Sequence, residues 1–427
     1  MNRFNSIFQT IRTFYQRDGF WVIMSILMER IGSFIFIAIM TRALTPFSFG
    51  EFTAIRTITS ITQPLAGGGG QYSLLHFGSK LKTLHEKEFL TSSTLLFGTL
   101  LSFIPIGGLL CWNFFSPIQL SDKGEFAYAV IIFSIISYNF YEIIKNHFRL
   151  INNNRQYAIF GILYSLLIVF FGWIFSAKGI IAFALILAVA PIFVISTTLY
   201  RMLALWRKGN VPDIPYWRYG LYVGAGSVIN QLFVSMDVIM LVLLKVDPTL
   251  IAAYKIATII PYSLFFLPGA FLTADFVYLT HHSNNRLVLM NYLRSYFALF
   301  GLLTFLIIVT LYLFSAPIIH LCFGNNYPLA PYLQDILLIG VAGTFLLRIP
   351  FGNILHAVGR ADWNALHATL LTPVSAAVVY FMVEWKGVQG AAWATSLMLI
   401  LSGAICFGLF RIYLGKLPKD QLHETSH

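Results

Sequence analysis

The sequence predicts an all-α integral membrane protein of about twelve transmembrane helices in two six-helix bundles, and three observations carry that reading. Of the 427 residues 58% are hydrophobic and only 11% are charged, against about 25% charged in soluble globular chains. Apolar stretches near the roughly 20 residues that cross a hydrocarbon core recur along the whole chain with short polar punctuation, leaving little length for a soluble domain. The third observation is an internal repeat in which short motifs return in the same order about 200 to 208 residues later.

Taken in order, residues 1–19 (MNRFNSIFQTIRTFYQRDG) are basic and mildly amphipathic. They lack the compact apolar run and small-residue cleavage site of a signal peptide, and so read as a retained cytoplasmic segment. The spans fall near 20–40, 53–75, 89–111, 126–144, 157–175 and 180–200, then 219–244, 252–278, 296–315, 332–355, 365–383 and 389–410. PFSFGEF at 46–52 precedes PTLIAAY at 248–254, FFSPI at 114–118 precedes FSAPI at 314–318, NNNRQYAIF at 152–160 precedes AVGRADWNA at 357–365, and KGIIAFA at 178–184 precedes KGVQGAA at 386–392. The chain therefore reads as an amino-terminal bundle over 20–200, a basic linker RMLALWRKGNVPDIPYWR over 201–218, a carboxy-terminal bundle over 219–410 and a tail over 411–427. An even number of spans per copy gives both halves one orientation, related by a pseudo-two-fold axis along the membrane normal, an arrangement used by transporters that rock around a site between halves.

With the amino terminus in the cytoplasm, 19 Lys and Arg fall in cytoplasmic segments, Lys145 among them, and five on the opposite side. The positive-inside rule then places both termini in the cytoplasm. Topology thus accounts for the net charge of +11, and nucleic acid is not expected as a partner. Cys111, Cys322 and Cys406 are far apart and form no Cys-x-x-Cys, and the ten histidines include no pairing with carboxylates at metal-ligand spacing, so no metal, cofactor or disulfide framework is expected. The glycine run 67–70 lacks the Lys-Ser/Thr continuation of a phosphate-binding loop, which argues against nucleotide hydrolysis. After Pro64 it is expected to unwind the end of span two or to permit close helix contact, and Pro191, Pro261 and Pro268 are expected to kink their helices.

Seven ionisable residues lie inside spans: Arg30, Arg56, Lys255, Arg348, Glu29, Asp237 and Asp275. A charge at a helix centre costs about 2.5 to 3.5 kcal/mol on the insertion scale, so these groups should face protein or a wet cavity. Arg56, Thr59, Ser60 and Gln63 have the spacing that builds one helix face, Lys255, Thr258 and Tyr262 repeat it on span eight, and Ser227, Asn230 and Asp237 share a face on span seven. Polar stripes inside apolar helices imply a lined cavity. The alternative is static pairing, Glu29 beside Arg30 and Asp237 with Lys255.

Four stretches, TRALTPFSFGEF, MDVIMLVLLKVDPTLIAAYKIATIIPYSLFFLPGAF, CFGNNYPLAPYLQDILLIG and LHAVGRADWN followed by WKGVQGAAWATS, resemble the polysaccharide flippase branch of the multidrug/oligosaccharidyl-lipid/polysaccharide (MOP) exporter superfamily, the O-antigen flippases of Wzx type. The resemblance runs over nearly the whole chain. It implies a MATE-like twelve-helix fold in the bacterial inner membrane. It further implies movement of an undecaprenyl-diphosphate-linked oligosaccharide from the cytoplasmic to the periplasmic leaflet by alternating access, with no catalytic residues. The lipid-linked glycan, membrane lipids and glycan polymerase or chain-length machinery are the partners that such a role implies.

A diphosphate headgroup needs cations that replace its hydration, Arg offering bidentate geometry and Lys a point charge. Arg30, Arg56, Lys255 and Arg348 suit that task, with Thr59, Ser60, Gln63 and Asn230 as polar lining. Basic residues on spans one, two and eight line the central cavity of the related peptidoglycan-precursor flippase, and Arg30, Arg56 and Lys255 fall on the corresponding spans. Coupling to an H+ or Na+ gradient needs a carboxylate whose access alternates, for which Asp237 leads and Glu29 and Asp275 follow. Two rivals remain: a MATE-like organic-cation antiporter, disfavoured by four buried cations against three acids, and a membrane glycan polymerase or ligase, disfavoured by outward loops of only about 15 residues.

Overall fold

The computed structural model describes residues 19–115, 120–205 and 212–417. The expected amino-terminal segment, residues 206–211 of the expected linker and residues 418–427 of the tail lie outside the described residues.

All secondary structure among the described residues is helical. In the first half the helices are α1 (Gly19–Ala43), α2 (Pro46–Thr62), a tight turn over Gln63–Gly69, α3 (Gly70–Gly78), α4 (Leu84–Phe115), α5 (Asp122–Leu150), α6 (Asn154–Ile174) and α7 (Ile180–Leu205). The second half contains α8 (Ile214–Leu243), α9 (Pro248–Ser263), α10 (Phe266–Ala274), α11 (Phe276–His281), α12 (Arg286–Leu313), α13 (Ser315–Phe323), α14 (Ala330–Gly343), a π-turn over Thr344–Arg348, α15 (Ile349–Ala357) and α16 (Ala361–Lys416). Among the described residues nine helices are long and apolar enough to cross a membrane. The other expected crossings have local causes. Span two is broken by the glycine run into α2 and α3, α7 contributes a shorter apolar stretch, and α16 holds two spans joined at Gly387, whose φ of 57° interrupts the helix.

Members of a repeat pair start their structure in the same way. Thr45 accepts from the Ser48 amide ahead of Pro46, and Asp247 accepts from the Thr249 amide ahead of Pro248, so each helix opens on a side-chain cap followed by a proline whose missing N–H is not needed there. The Lys-Gly steps of the last pair both place glycine at positive φ, 79° at Gly179 and 57° at Gly387.

Packing divides the chain into two compact units, Met1–Gln231 and Leu232–His427, with the division falling inside α8. In the first unit α1 lies along α6 and α5 along α7. In the second, α14 packs against α9 and α16 around buried Leu241, Ile251, Tyr254, Leu337, Val383 and Ala391. Large apolar side chains stay exposed in stripes, such as Leu100, Phe103 and Ile104 on α4 and Leu302, Phe305 and Leu306 on α12. Contiguous apolar surface of this kind suits hydrocarbon, not water.

The glycine run does both things expected of it. Gly67, Gly68 and Gly69 hold φ of 64, 62 and 67°, a left-handed conformation that is routine only for glycine. The Gly67 amide, cut off from helical partners, donates to Ser102 Oγ at 2.8 Å, and a side chain at Gly69 would collide with the Gly220 carbonyl of α8. Pro261 likewise precedes a stop: α9 ends two residues later, so the expected span 252–278 is three shorter helices.

Candidate functional site

Ionisable groups collect in each unit. In the first, the Glu29 carboxylate on α1 is ion-paired with Lys145 of α5 and accepts from Tyr141 Oη at 3.0 Å and Ser25 Oγ at 3.5 Å. The partner of Glu29 is therefore Lys145 and not the adjacent Arg30. Lys145 is buried, its Nζ 4.6 Å from the centre of the Tyr157 ring, which removes it from the cytoplasmic tally of cations. Its helix continues to Leu150 and keeps it inside the packed bundle. A turn away, Glu142 is hydrogen-bonded to Tyr138. A backbone approach makes the cluster possible: a side chain at Gly161 of α6 would strike both Ser25 Oγ and the Glu29 carboxylate.

Arg56 on α2 is half-buried, close enough to Tyr138 and Tyr164 to act on both electrostatically. It makes no hydrogen bond or ion pair among the described residues. Thr59 is buried with its hydroxyl turned back onto the Ile55 and Arg56 carbonyls at 2.9 and 3.1 Å. Ser60 bonds the Thr57 carbonyl at 2.7 Å and receives Gln231 Nε2 at 3.4 Å, and Gln63 opens the tight turn before the glycine run, half-buried. Arg30 and Asn230 are exposed on α1 and α8. Arg30 shares its exposed face with Ile23, Ile26 and Leu27.

In the second unit Asp237 of α8 is buried. Its Oδ2 accepts from Tyr254 Oη at 2.6 Å and lies 3.4 Å from Thr395 Oγ1, while Oδ1 accepts from the Val238 amide at 2.7 Å. Lys255 of α9 is half-buried and acts on Asp237 electrostatically. Tyr262, two turns on, has a buried hydroxyl with no hydrogen-bond partner among the described residues. Asp275 sits at the break between α10 and α11, beside Tyr292.

Arg348 closes the π-turn. In this turn the Ile349 amide bonds the Thr344 carbonyl five residues back, and the Phe345 carbonyl, whose partner in the same register would be the N–H that Pro350 lacks, accepts instead from Tyr296 Oη of α12 at 2.7 Å. Arg348 Nη1 then donates to Asn364 Oδ1 at 3.1 Å and reaches Cys406 Sγ at 3.4 Å.

Sequence reasoning missed Lys145, Glu142, Asn364 and the role of Cys406. A signal for the first two was present, since Tyr138, Tyr141, Glu142 and Lys145 recur at helical spacing on one face of α5.

A multi-pass membrane protein whose described residues form only helices, with ionisable groups buried in both units, is the class that this architecture defines. The fold is that of transporters of the MOP superfamily. An inward-facing multidrug resistance MATE family transporter of that superfamily superposes with a TM-score of 0.69 at 12% identity, over 92% of this chain and 98% of its own. The lipid II flippase MurJ, in an inward closed conformation, does so with a TM-score of 0.69 at 16% identity, over 93% and 88%. A MOP superfamily transporter from Pyrococcus furiosus matches at a TM-score of 0.57 and 12% identity over 93% and 95%. Among curated proteins, one of Shigella flexneri named "Putative O-antigen transporter" is 31% identical over 162 residues, 38% of this chain and 38% of its own length. No protein-family profile matches the chain. These relatives are transporters and a flippase, and the chain spans about two fifths of the length of the curated relative it matches.

Proposed function

We propose that this chain is a flippase that carries an undecaprenyl-diphosphate-linked oligosaccharide, an O-antigen or other surface polysaccharide repeat unit, from the cytoplasmic to the periplasmic leaflet of the bacterial inner membrane by alternating access. The observation that carries the proposal is Arg56: a half-buried guanidinium in a spanning helix that makes no ion pair among the described residues and so is available to an anionic group. Arg30 on α1 and, in the second unit, Lys255 on α9 are cations of the kind a diphosphate requires, and Ser60, Gln63 and Asn230 offer polar groups to a glycan; Arg348 is instead held by Asn364 and Cys406. Thr59 contributes to holding α2 instead, since both its hydroxyl contacts are local. The named activities of the Shigella flexneri relative and of the lipid II flippase support a lipid-linked glycan as cargo.

Both termini face the cytoplasm in this reading, on the distribution of Lys and Arg. Coupling to an H+ or Na+ gradient falls to Asp237 first, with Glu29 and Asp275 behind it. Glycan polymerase or chain-length machinery would act on the delivered repeat units.

Deleting the gene in its native host and quantifying undecaprenyl-diphosphate-linked oligosaccharides by mass spectrometry, alongside surface polysaccharide, tests the proposal. Accumulated lipid-linked repeat units with lost surface glycan support it and identify the sugar. Unchanged levels of both, in a host without a redundant flippase, sink it and turn attention to export of organic cations. Arg56→Glu should abolish transport at normal membrane level, and normal transport by that variant would argue against a cationic headgroup site.

A further inference from the structure

We infer that the second unit holds a small inorganic anion of halide size beside Arg348, bound by the guanidinium together with His367. The inference goes beyond the flippase reading and stands or falls without it, because binding is read in purified protein with no glycan present.

The case begins with charge. A guanidinium stays protonated at any working pH, yet both side chains that Arg348 touches are neutral, Asn364 Oδ1 at 3.1 Å and Cys406 Sγ at 3.4 Å. No carboxylate contacts it among the described residues. Cations in spanning segments pair with something, because hydrocarbon and packed protein solvate them poorly.

The contacts among the neighbours of Arg348 constrain where their hydrogens lie. Asn364 is 5% exposed. Its Oδ1 accepts from Arg348, so its Nδ2 is the donor to His356 Nε2 at 2.6 Å. His356 is thereby an acceptor at Nε2, a neutral ring that supplies no negative charge. Cys406 is fully buried and lies 3.8 Å from His367 Nδ1. The one thiol hydrogen has two acceptors at 3.8 Å, Asn364 Oδ1 and His367 Nδ1. Asn364 Oδ1 is already taken by the Arg348 guanidinium, so we assign the thiol hydrogen to Nδ1, which puts the hydrogen of the neutral His367 ring on Nε2. That atom is buried without a hydrogen-bond partner, in a residue only 6% exposed. Arg348 acts electrostatically on both histidine rings, which places all of these groups in one neighbourhood.

The π-turn, α15 and the two ends of α16 thus bring together a permanent cation, a buried N–H donor without an acceptor, and no acid. The complement of that set is an acceptor with negative charge. Because Asn364, His367 and Cys406 are almost wholly enclosed, the complement is an ion of one or a few atoms. Arg348 itself is half-buried and gives it a way in.

The test is thermal unfolding of the purified full chain in detergent, titrated with sodium chloride, sodium bromide or sodium pyrophosphate against sodium gluconate at matched ionic strength. Chloride and bromide should raise the midpoint along a saturable curve. Arg348→Gln should abolish the rise, and His367→Leu should weaken the apparent affinity by about tenfold or more. The second variant keeps the test open if the first fails to fold. Cys406→Ser, which cannot supply a thiolate, should retain the halide response. A midpoint indifferent to halide in the wild-type chain overturns the proposal, as does a response to pyrophosphate alone, which would mark a headgroup site. Loss of the halide response in Cys406→Ser would also overturn it.

Discussion

The Tyr296 hydroxyl donates to the Phe345 carbonyl at 2.7 Å, taking the place of an amide that Pro350 cannot offer. A side chain on α12 thereby completes the backbone of the span that carries Arg348. Tyr296→Phe leaves that carbonyl buried without a donor and should destabilise the protein by about 1 to 3 kcal/mol, seen as a lower unfolding midpoint in detergent. An unchanged midpoint would mean that the π-turn holds without it.

Gly161 permits α6 to reach α1. Gly161→Ala should cost about 1 to 3 kcal/mol through overpacking, and Ser25→Ala in the same chain should restore part of it, because the hydroxyl is one of the two groups struck. Strict additivity of the two changes in unfolding measurements would contradict this contact.

Breaking the Glu29–Lys145 pair from one side leaves a buried charge uncompensated. Lys145→Met or Glu29→Gln alone should destabilise by about 3 to 5 kcal/mol, while the double change should cost markedly less. Membrane yield and unfolding midpoints of the four chains make the comparison, and a double variant as impaired as the sum of the singles would rule out a direct pair.

Asp237 is held by a tyrosine, a threonine and an amide, all of them donors to it, so Asp237→Asn keeps the size and one accepting oxygen while removing the ionisable group. It should insert at normal levels yet lose the dependence of transport on an ion gradient in vesicles. A response equal to that of the parent chain would take Asp237 out of coupling.

Crossings were legible in the sequence because they rest on apolar length, and the glycine run announced its own break because three left-handed residues need three glycines. Pairings were not. Lys145 looks like a residue at a span end, and only the continuation of α5 to Leu150 brings it to Glu29, 116 residues away in the chain. The polar face of α2 was legible as a spacing, but spacing does not say that Thr59 satisfies itself on its own helix. Nor does it say that a proline at 350 would be answered by a tyrosine at 296.

The seating of α8 against the glycine run also sets the order of events at the ribosome. Ser73 Oγ donates to the Tyr216 carbonyl at 2.6 Å, and the two residues are 143 positions apart. Thr94 meets the Tyr216 hydroxyl at 2.6 Å. At roughly 5 to 20 residues per second, span two waits on the order of ten seconds or more for the residues that cover its break. Until then α8 cannot cover the break, so the first unit is complete only once the start of the seventh span has been made.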